Sequence, residues 1–312
     1  MPSDLLKMSG RELLSAIRMS EGRTLRVAAR IRCSNLIDGV SNAEVAAAFG
    51  ADIINLDTYD LFNSYIPGWT SKNPQDDASC SLMQTPLGIG YSFKEIEEIV
   101  SRPLSVLMLI SNDLDGAERT RKAYGNIVAT KETFLKAKEE HVRCIQVDTI
   151  SDTLGSSFVE QIKEIRQLIG DDMILHVARS HGSGILNKEN SGDLIDRKQV
   201  VDLIKAGVDI IGFPAPGTYP GWDIKNCKDY VDLAHSYGAV VVLGVHTSQE
   251  GANPNTLEHI ALCSKMCGAD MHDLGDCGFN ENMIDPINIM RYGIAIRGKR
   301  HHYRRMAVSN KR

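Results

Sequence analysis

Four stretches of this 312-residue chain decide its fold: Phe49-Gly50-Ala51-Asp52-Ile53-Ile54, Ala206-Gly207-Val208-Asp209-Ile210-Ile211, Tyr237-Gly238-Ala239-Val240-Val241-Val242 and Cys267-Gly268-Ala269-Asp270-Met271. In each, a helical pattern ends in glycine, and a small residue or valine leads into an apolar run. Glycine closes such a helix because it takes the left-handed conformation without a side-chain clash. Each stretch is therefore a helix-to-strand junction.

Hydrophobic periodicity fills the intervals between the junctions. Strands are expected near residues 25–31, 52–57, 104–110, 144–148, 173–177, 209–212, 240–245 and 270–274. Amphipathic helical segments fall at 42–49, 93–101, 130–140, 158–169, 197–206, 224–237, 256–266 and 286–296. Strands alternating with helices imply a parallel sheet, and eight repeats in about 270 residues suit a closed (β/α)8 TIM barrel better than an open sheet. A further helix near 5–18 is expected to cover the barrel floor. The reading is one barrel domain over residues 1–312, with an N-terminal helical extension (1–23) and a basic C-terminal arm (297–312). No Pro/Gly/Ser-rich linker interrupts it.

Composition agrees with this class. The chain is 43% hydrophobic and 24% charged, with 26 Gly and 10 Pro, which excludes disorder, collagen and coiled coil. No stretch approaches the 18 apolar residues of a membrane span, and residues 1–18 carry Asp4, Lys7, Arg11 and Glu12 without an apolar signal core. The expectation is a cytoplasmic protein without a membrane segment. Seven cysteines, an odd number with no Cys-x-x-Cys spacing, fit a reducing compartment. The net charge is −5, yet residues 291–312 hold eight Lys/Arg and no acid, leaving −13 on the rest. Such an arm suits a phosphate, an acidic neighbouring subunit or the acidic body itself, and a homo-oligomer is expected. Nucleic acid is disfavoured, because only Tyr303 interleaves the charges and no recognition motif is present.

Loops after predicted helices are short, whereas those at 58–92, 111–129, 180–196 and 214–223, after strands, are long. In a barrel all strand-to-helix loops emerge at one end, where active sites are built. The 58–92 segment is a candidate lid. Three prolines and three glycines between Gly212 and Trp222 suggest a rigid wall.

The candidate chemistry sits at the strand tips. Strand 7 ends Gly244-Val245-His246-Thr247-Ser248, and strand 8 runs Asp270-Met271-His272-Asp273-Leu274-Gly275-Asp276-Cys277-Gly278. Glycines after these strands let backbone N–H groups approach an anion, so Gly244, Thr247, Ser248, Gly275, Asp276 and Gly278 are the candidate phosphate-binding or substrate-binding residues. His246, Glu250, His272 and Asp276 come from adjacent tips and could share one pocket as acid, base or metal ligands. Arg179 and His181, two apart after strand 5, suit gripping an anion and moving a proton. Asp57 and Asp148 end strands 2 and 4. With His272 they form the candidate set for a divalent cation, Mg2+ or a transition metal. Catalytic candidates are Asp57, Arg179, His181, His246 and His272. No Lys stands at a strand end, which argues against a Schiff-base aldolase, and no Walker loop, G-x-S-x-G elbow or His-Glu-x-x-His helix occurs.

Several stretches together resemble a bacterial family of (β/α)8 proteins described as phosphoenolpyruvate phosphonomutase-like and sometimes as haloacid-dehalogenase-like. They are Asp38-Gly39-Val40-Ser41-Asn42-Ala43-Glu44, Pro214-Ala215-Pro216-Gly217, Thr247-Ser248-Gln249-Glu250-Gly251-Ala252, His272 with Gly275-Asp276, and Ala295 to His301 through Met306. The resemblance spans nearly the whole barrel and implies the fold more than a reaction. Two positions depart from its pattern, Cys277 and Arg179-Ser180. The magnesium loop and mobile loop of true phosphonomutases are not matched: Asp113-Leu114-Asp115-Gly116 is one residue short of the first.

The resulting expectation is a lyase- or isomerase-type enzyme acting on a small phosphorylated or carboxylated metabolite at the C-terminal mouth of the barrel. The alternatives are a metal-dependent hydrolase in the same mouth, or a non-catalytic ligand-binding or assembly protein.

Overall fold

The eight apolar runs form strands β1 (Thr24–Arg30), β2 (Ile53–Asp57), β3 (Leu104–Ile110), β4 (Cys144–Thr149), β5 (Ile174–Arg179), β6 (Ile210–Pro214), β7 (Val240–Val245) and β8 (Met271–Leu274) in a computed structural model. It describes residues 2–33, 35–78, 86–110, 125–149, 156–179, 196–275, 278 and 282–308. Each strand pairs in parallel with the next, and β8 closes on β1. This is the (β/α)8 barrel that the alternation of elements implied.

Helices α1 (Pro2–Leu5) and α2 (Gly10–Arg18) precede β1. The break between them is chemical: Ser9 caps α2 in a reciprocal capping box with Glu12. Leu13, Leu14 and Ile17 of α2 cluster with Ile53, Cys144, Ile174, Ile210, Val240, Val242 and Met271, so this helix closes the floor as anticipated. Around the barrel run α3 (Asn42–Ala48), α4 (Pro74–Ala78), α5 (Phe93–Val100), α6 (Lys131–Glu139), α7 (Ser156–Ile169), α8 (Arg197–Lys205), α9 (Ile224–Ser236), α10 (Pro254–Cys267) and α11 (Pro286–Ala307). Among the described residues no helix is long and apolar enough to cross a membrane.

The described part of the 58–92 segment is packed rather than hinged. Ile66 and Trp69 are buried, Trp69 Nε1 donates to Glu44 Oε2 at 2.6 Å, and an isolated bridge ties Tyr65 to Ile89. The 214–223 loop is braced as a wall, with Trp222 Nε1 donating to the carbonyl of Pro214 at 2.8 Å.

The basic C-terminal stretch is part of the fold. Helix α11 kinks at Gly298, where φ is 74°, a value that favours glycine, and its second half turns back against the barrel. Arg297 pairs with Asp52 Oδ2, and Arg305 Nε donates to Asp52 Oδ1 at 2.5 Å. Burial draws Arg297 down to about 10, with Asp52 resisting the fall. The ring of His302 lies between Gly50 and Gly293: a Cβ on Gly50 would stand 2.6 Å from its Cε1, and one on Gly293 would overlap the ring. Burial and the neighbouring Arg297 charge hold His302 down at about 4, so the ring is neutral and tolerates this cationic cluster.

Replacing Asp52 with Asn should therefore leave two guanidinium groups without their shared carboxylate and destabilise the protein by ~3–5 kcal/mol, the usual cost of removing one partner of a buried pair. Urea denaturation measures this; a loss below ~1 kcal/mol would mean that the arm is not held by charge.

Candidate functional site

Side chains alternate along each strand, so every second residue faces the barrel interior. On β1 this puts Leu25 and Val27 outside and Arg26 inside, where its side chain is 1% exposed. A guanidinium so placed must be paired on every side. Arg26 Nε donates to Asp273 Oδ1 at 2.9 Å and Nη2 to Asp273 Oδ2 at 2.6 Å, a two-pronged ion pair between strands in register. Its Nη2 also reaches Gln146 Oε1 on β4, and its Nη1 meets His176 Nδ1 on β5 at 3.1 Å. Gln146 in turn donates from Nε2 to Asp148 Oδ1 at 3.0 Å. One cation thus links β1, β4, β5 and β8 across the barrel, forming a polar layer above the apolar floor.

His246, just beyond β7, stands over this layer. Its Nε2 is 2.8 Å from Asp273 Oδ2, and its side chain is 40% exposed while Asp273 is 2% exposed. Partial burial favours the neutral ring, but the charge of Asp273, the hydrogen bond to it and the charge of Glu250 outweigh this and lift His246 to about 9. Asp273 feels the opposite balance: burial raises it, while Arg26 and His246 carry it below the ordinary carboxylate range. The pair is an imidazolium and a carboxylate at neutral pH, with the imidazolium at the open end.

The glycines of β7 and β8 have a different use from the expected anion cup. A Cβ on Gly244 would come within 2.7 Å of His246 Nε2, and one on Gly275 within 2.9 Å of His246 Nδ1 and onto Glu250 Oε1. Both glycines make room for the imidazole and its carboxylate neighbour. Gly278 belongs to backbone packing, because a Cβ there would lie 2.7 Å from the Cα of Ile284. Thr247 precedes the short 3-10 turn Ser248–Gly251 and donates its hydroxyl to Gln249, Ser248 is exposed, and Glu250 is buried.

Asp57 lies at the mouth as expected, paired with Arg30 at 3.3 Å and accepting the Thr58 backbone N–H at 2.9 Å. Thr58 takes a left-handed φ of 58°, unusual for a β-branched residue. Its hydroxyl accepts the Arg32 N–H at 3.0 Å, which fixes the turn. Such strain persists only where the surroundings impose it.

His272 is the correction. Its parity is opposite to that of Asp273, so it projects outward, fully buried between the barrel wall and α11, with Nδ1 3.0 Å from the Tyr292 hydroxyl. Burial and the charge of Lys265 hold its ring neutral, down at about 3. It shares no pocket with Asp57 and Asp148, so the three do not form a metal site, and no three His, Cys, Asp or Glu groups among the described residues stand close enough to hold one. Arg179 ends β5 opposite Thr149, but only its backbone is described, and His181 and Asp276 lie outside the described residues.

Sequence reasoning missed Arg26, Gln146, His176 and Asp273. The signal was present as single polar residues within apolar strands, Leu25-Arg26-Val27, Ile145-Gln146-Val147 and Leu175-His176-Val177, while Asp273 stands beside a second polar residue, His272.

The family described as a domain of unknown function, DUF7916, matches the chain over residues 1–312. The chain belongs to this family. No curated protein matches this DUF7916 chain. Among solved structures it is similar to the carboxyl transferase domain of Rhizobium etli pyruvate carboxylase, with a TM-score of 0.51 and 13% identity over 99% of the chain and 52% of that domain. The same domain with 3-bromopyruvate gives 0.50 and 14%, covering 97% and 51%. A variant of the whole enzyme crystallized without acetyl coenzyme A gives 0.51 and 14%, covering 99% and 31%. The chain spans about half of the carboxyl transferase domain and under a third of the whole enzyme. At these identities the likeness shows the barrel fold alone.

Removing the Asp273 charge should release the His246 proton. In Asp273→Asn the ring should titrate at least about two units lower, towards the ordinary histidine value near 6.5, as followed by NMR of the imidazole nitrogens. A His246 that still titrates near 9 would mean that Asp273 does not set its charge.

Proposed function

We propose that the barrel mouth is the active site of a lyase- or isomerase-type enzyme that moves a proton on a small carboxylated or phosphorylated metabolite. One observation carries the reading: an imidazolium at the open end of the barrel, held by a buried carboxylate that a buried guanidinium holds in turn. Burying a charge this deep costs free energy, and a half-exposed cation at its tip is the part a solvent-borne anion can reach.

The roles follow from the contacts. Asp273 occupies Nε2 of His246, so Nδ1 is the nitrogen that exchanges a proton with substrate. As an imidazolium it can protonate an enolate oxygen or carbon, or stabilise the enolate by hydrogen bonding. The Asp148 carboxylate, steadied by Gln146, accepts the proton from the carbon next to a carboxylate or carbonyl; that C–H electron pair becomes the enolate double bond. Arg30 and His246 give the mouth its attraction for an anion. A substrate of this kind is consistent with the solved barrel of the same fold that holds 3-bromopyruvate. The phosphonomutase-like resemblance is a narrower version of the same reading. No arrangement among the described residues favours the metal-dependent hydrolase.

The test is proton exchange. Incubated in D2O with a panel of two- to five-carbon keto and hydroxy acids and their phosphorylated analogues, the protein should catalyse deuterium incorporation at the carbon next to the carboxyl or carbonyl of one substrate class, read by proton NMR. His246→Gln should lower that rate by ~100-fold or more. The wild-type rate should decline on the alkaline side near pH 9, where the imidazolium is lost. The imidazolium's contribution to folding has the same sign, present below about pH 6.5 and lost as pH rises through about 9. Exchange unaffected by His246→Gln, or none with any member of the panel, overturns the reading.

A further inference from the structure

His176 has one nitrogen that the polar layer explains and one that it does not. Arg26 can only donate, so the Nδ1 it meets at 3.1 Å must offer a lone pair. Burial and the Arg26 charge keep the ring neutral, well below the ordinary histidine value. A neutral imidazole with a lone pair on Nδ1 carries its hydrogen on Nε2. That Nε2 is buried and has no hydrogen-bond partner, in a residue that is 1% exposed. A buried donor left unmatched costs free energy, and native proteins keep few of them without a use.

The direction of Nε2 indicates the use. His176 is in register with Ile210 on β6, so continuing the register sets Ala178 beside Gly212, one inward position nearer the mouth. A Cβ on Gly212 would lie 2.9 Å from Ala178 Cβ and 3.0 Å from His176 Nε2. The ring therefore reaches up from the polar layer to the level of Ala178 and Gly212, where the wall carries no bulky side chain. Gly212 does not have a positive φ, so its lack of a side chain answers a need for space and not a backbone strain. The charge of His246 is also felt at His176, so the two imidazoles border the same interior.

We infer that the Nε2–H of His176 is a substrate-binding donor, held in that tautomer by Arg26 and presented to an oxygen of a small planar carboxylate or of the enolate formed from it. This rests on the proton-transfer reading above and adds the group that receives the oxygen. The site then has two imidazoles in different states. His246 is the cation that exchanges a proton, and His176 is a neutral ring that polarises an oxygen without giving its hydrogen away.

Oxalate, a flat dianion that imitates the enolate of an α-keto acid, is the probe. In the wild-type protein labelled with 13C and 15N, the His176 ring, assigned by through-bond correlation to its own backbone, should show the neutral pattern with hydrogen on Nε2. Saturating oxalate should move that N–H proton downfield. By calorimetry, His176→Phe should weaken oxalate by about tenfold or more, and Gly212→Ala, which crowds the ring, should also weaken it. An Nδ1–H tautomer, an N–H signal unmoved by oxalate, or a wild type that does not bind oxalate overturns the inference. The spectra use the wild type, so they decide the matter even if a variant fails to fold. The two readings fail separately: exchange that survives His246→Gln while oxalate still shifts His176 removes the earlier one, and the reverse result removes this one.

Discussion

A guanidinium inside a barrel is stable only if every face of it is matched, and Arg26 imposes that condition on the interior of this protein. Its fork takes both oxygens of Asp273, its third edge takes Gln146, and its remaining nitrogen takes His176. These groups come from four strands, so a shift of one residue in the register of any of them would leave a buried charge or polar atom unmatched. Here the polar layer adds a directional demand that the apolar floor, sealed by α2, cannot supply.

The mouth inherits its chemistry from that layer. Asp273 is fixed by Arg26 from below and is therefore a rigid carboxylate for His246 above. Two small residues, Gly244 and Gly275, leave room for the imidazole, and Glu250 from the following turn adds a second negative charge. Charge decreases in exposure from the tip inward: a reachable imidazolium, a buried carboxylate, a buried guanidinium. The same order pushes His246 upward and His176 downward from one common histidine value. Environments that separate two like groups in this way are how a single fold obtains both a proton donor and a neutral polarising group.

At the opposite end, the C-terminal stretch shows the same economy of charge. Eight Lys/Arg without an acid suggested an arm for a partner, a solvated tail or a stretch packed on the acidic body. Asp52, at the base of β2, draws Arg297 and Arg305 onto the barrel, in line with the last of these, and His302 fills the slot between two glycines. The sequence carried both halves of this contact. They are 245 positions apart for Asp52 and Arg297, and nothing in a linear reading says which acid a distant arginine will meet.

Much of the architecture was legible because it depends on local periodicity. The glycine-terminated junctions and the apolar runs are properties of short segments, and the strands at 104–110 and 240–245 match the structure residue for residue. The tips of β2, β4 and β7 were legible for the same reason, which is why Asp57, Asp148 and His246 stand at the mouth. What the linear order could not supply was parity around a closed sheet. His272 and Asp273 are neighbours in the chain and both polar, yet the pleat sends one to the outer helix and the other to the interior. The chain's own alternation of apolar residues fixed the barrel and its mouth. Which polar groups meet inside was decided only when eight strands closed on one another, because a hydrogen bond or ion pair depends on distance in space and not on spacing along the chain.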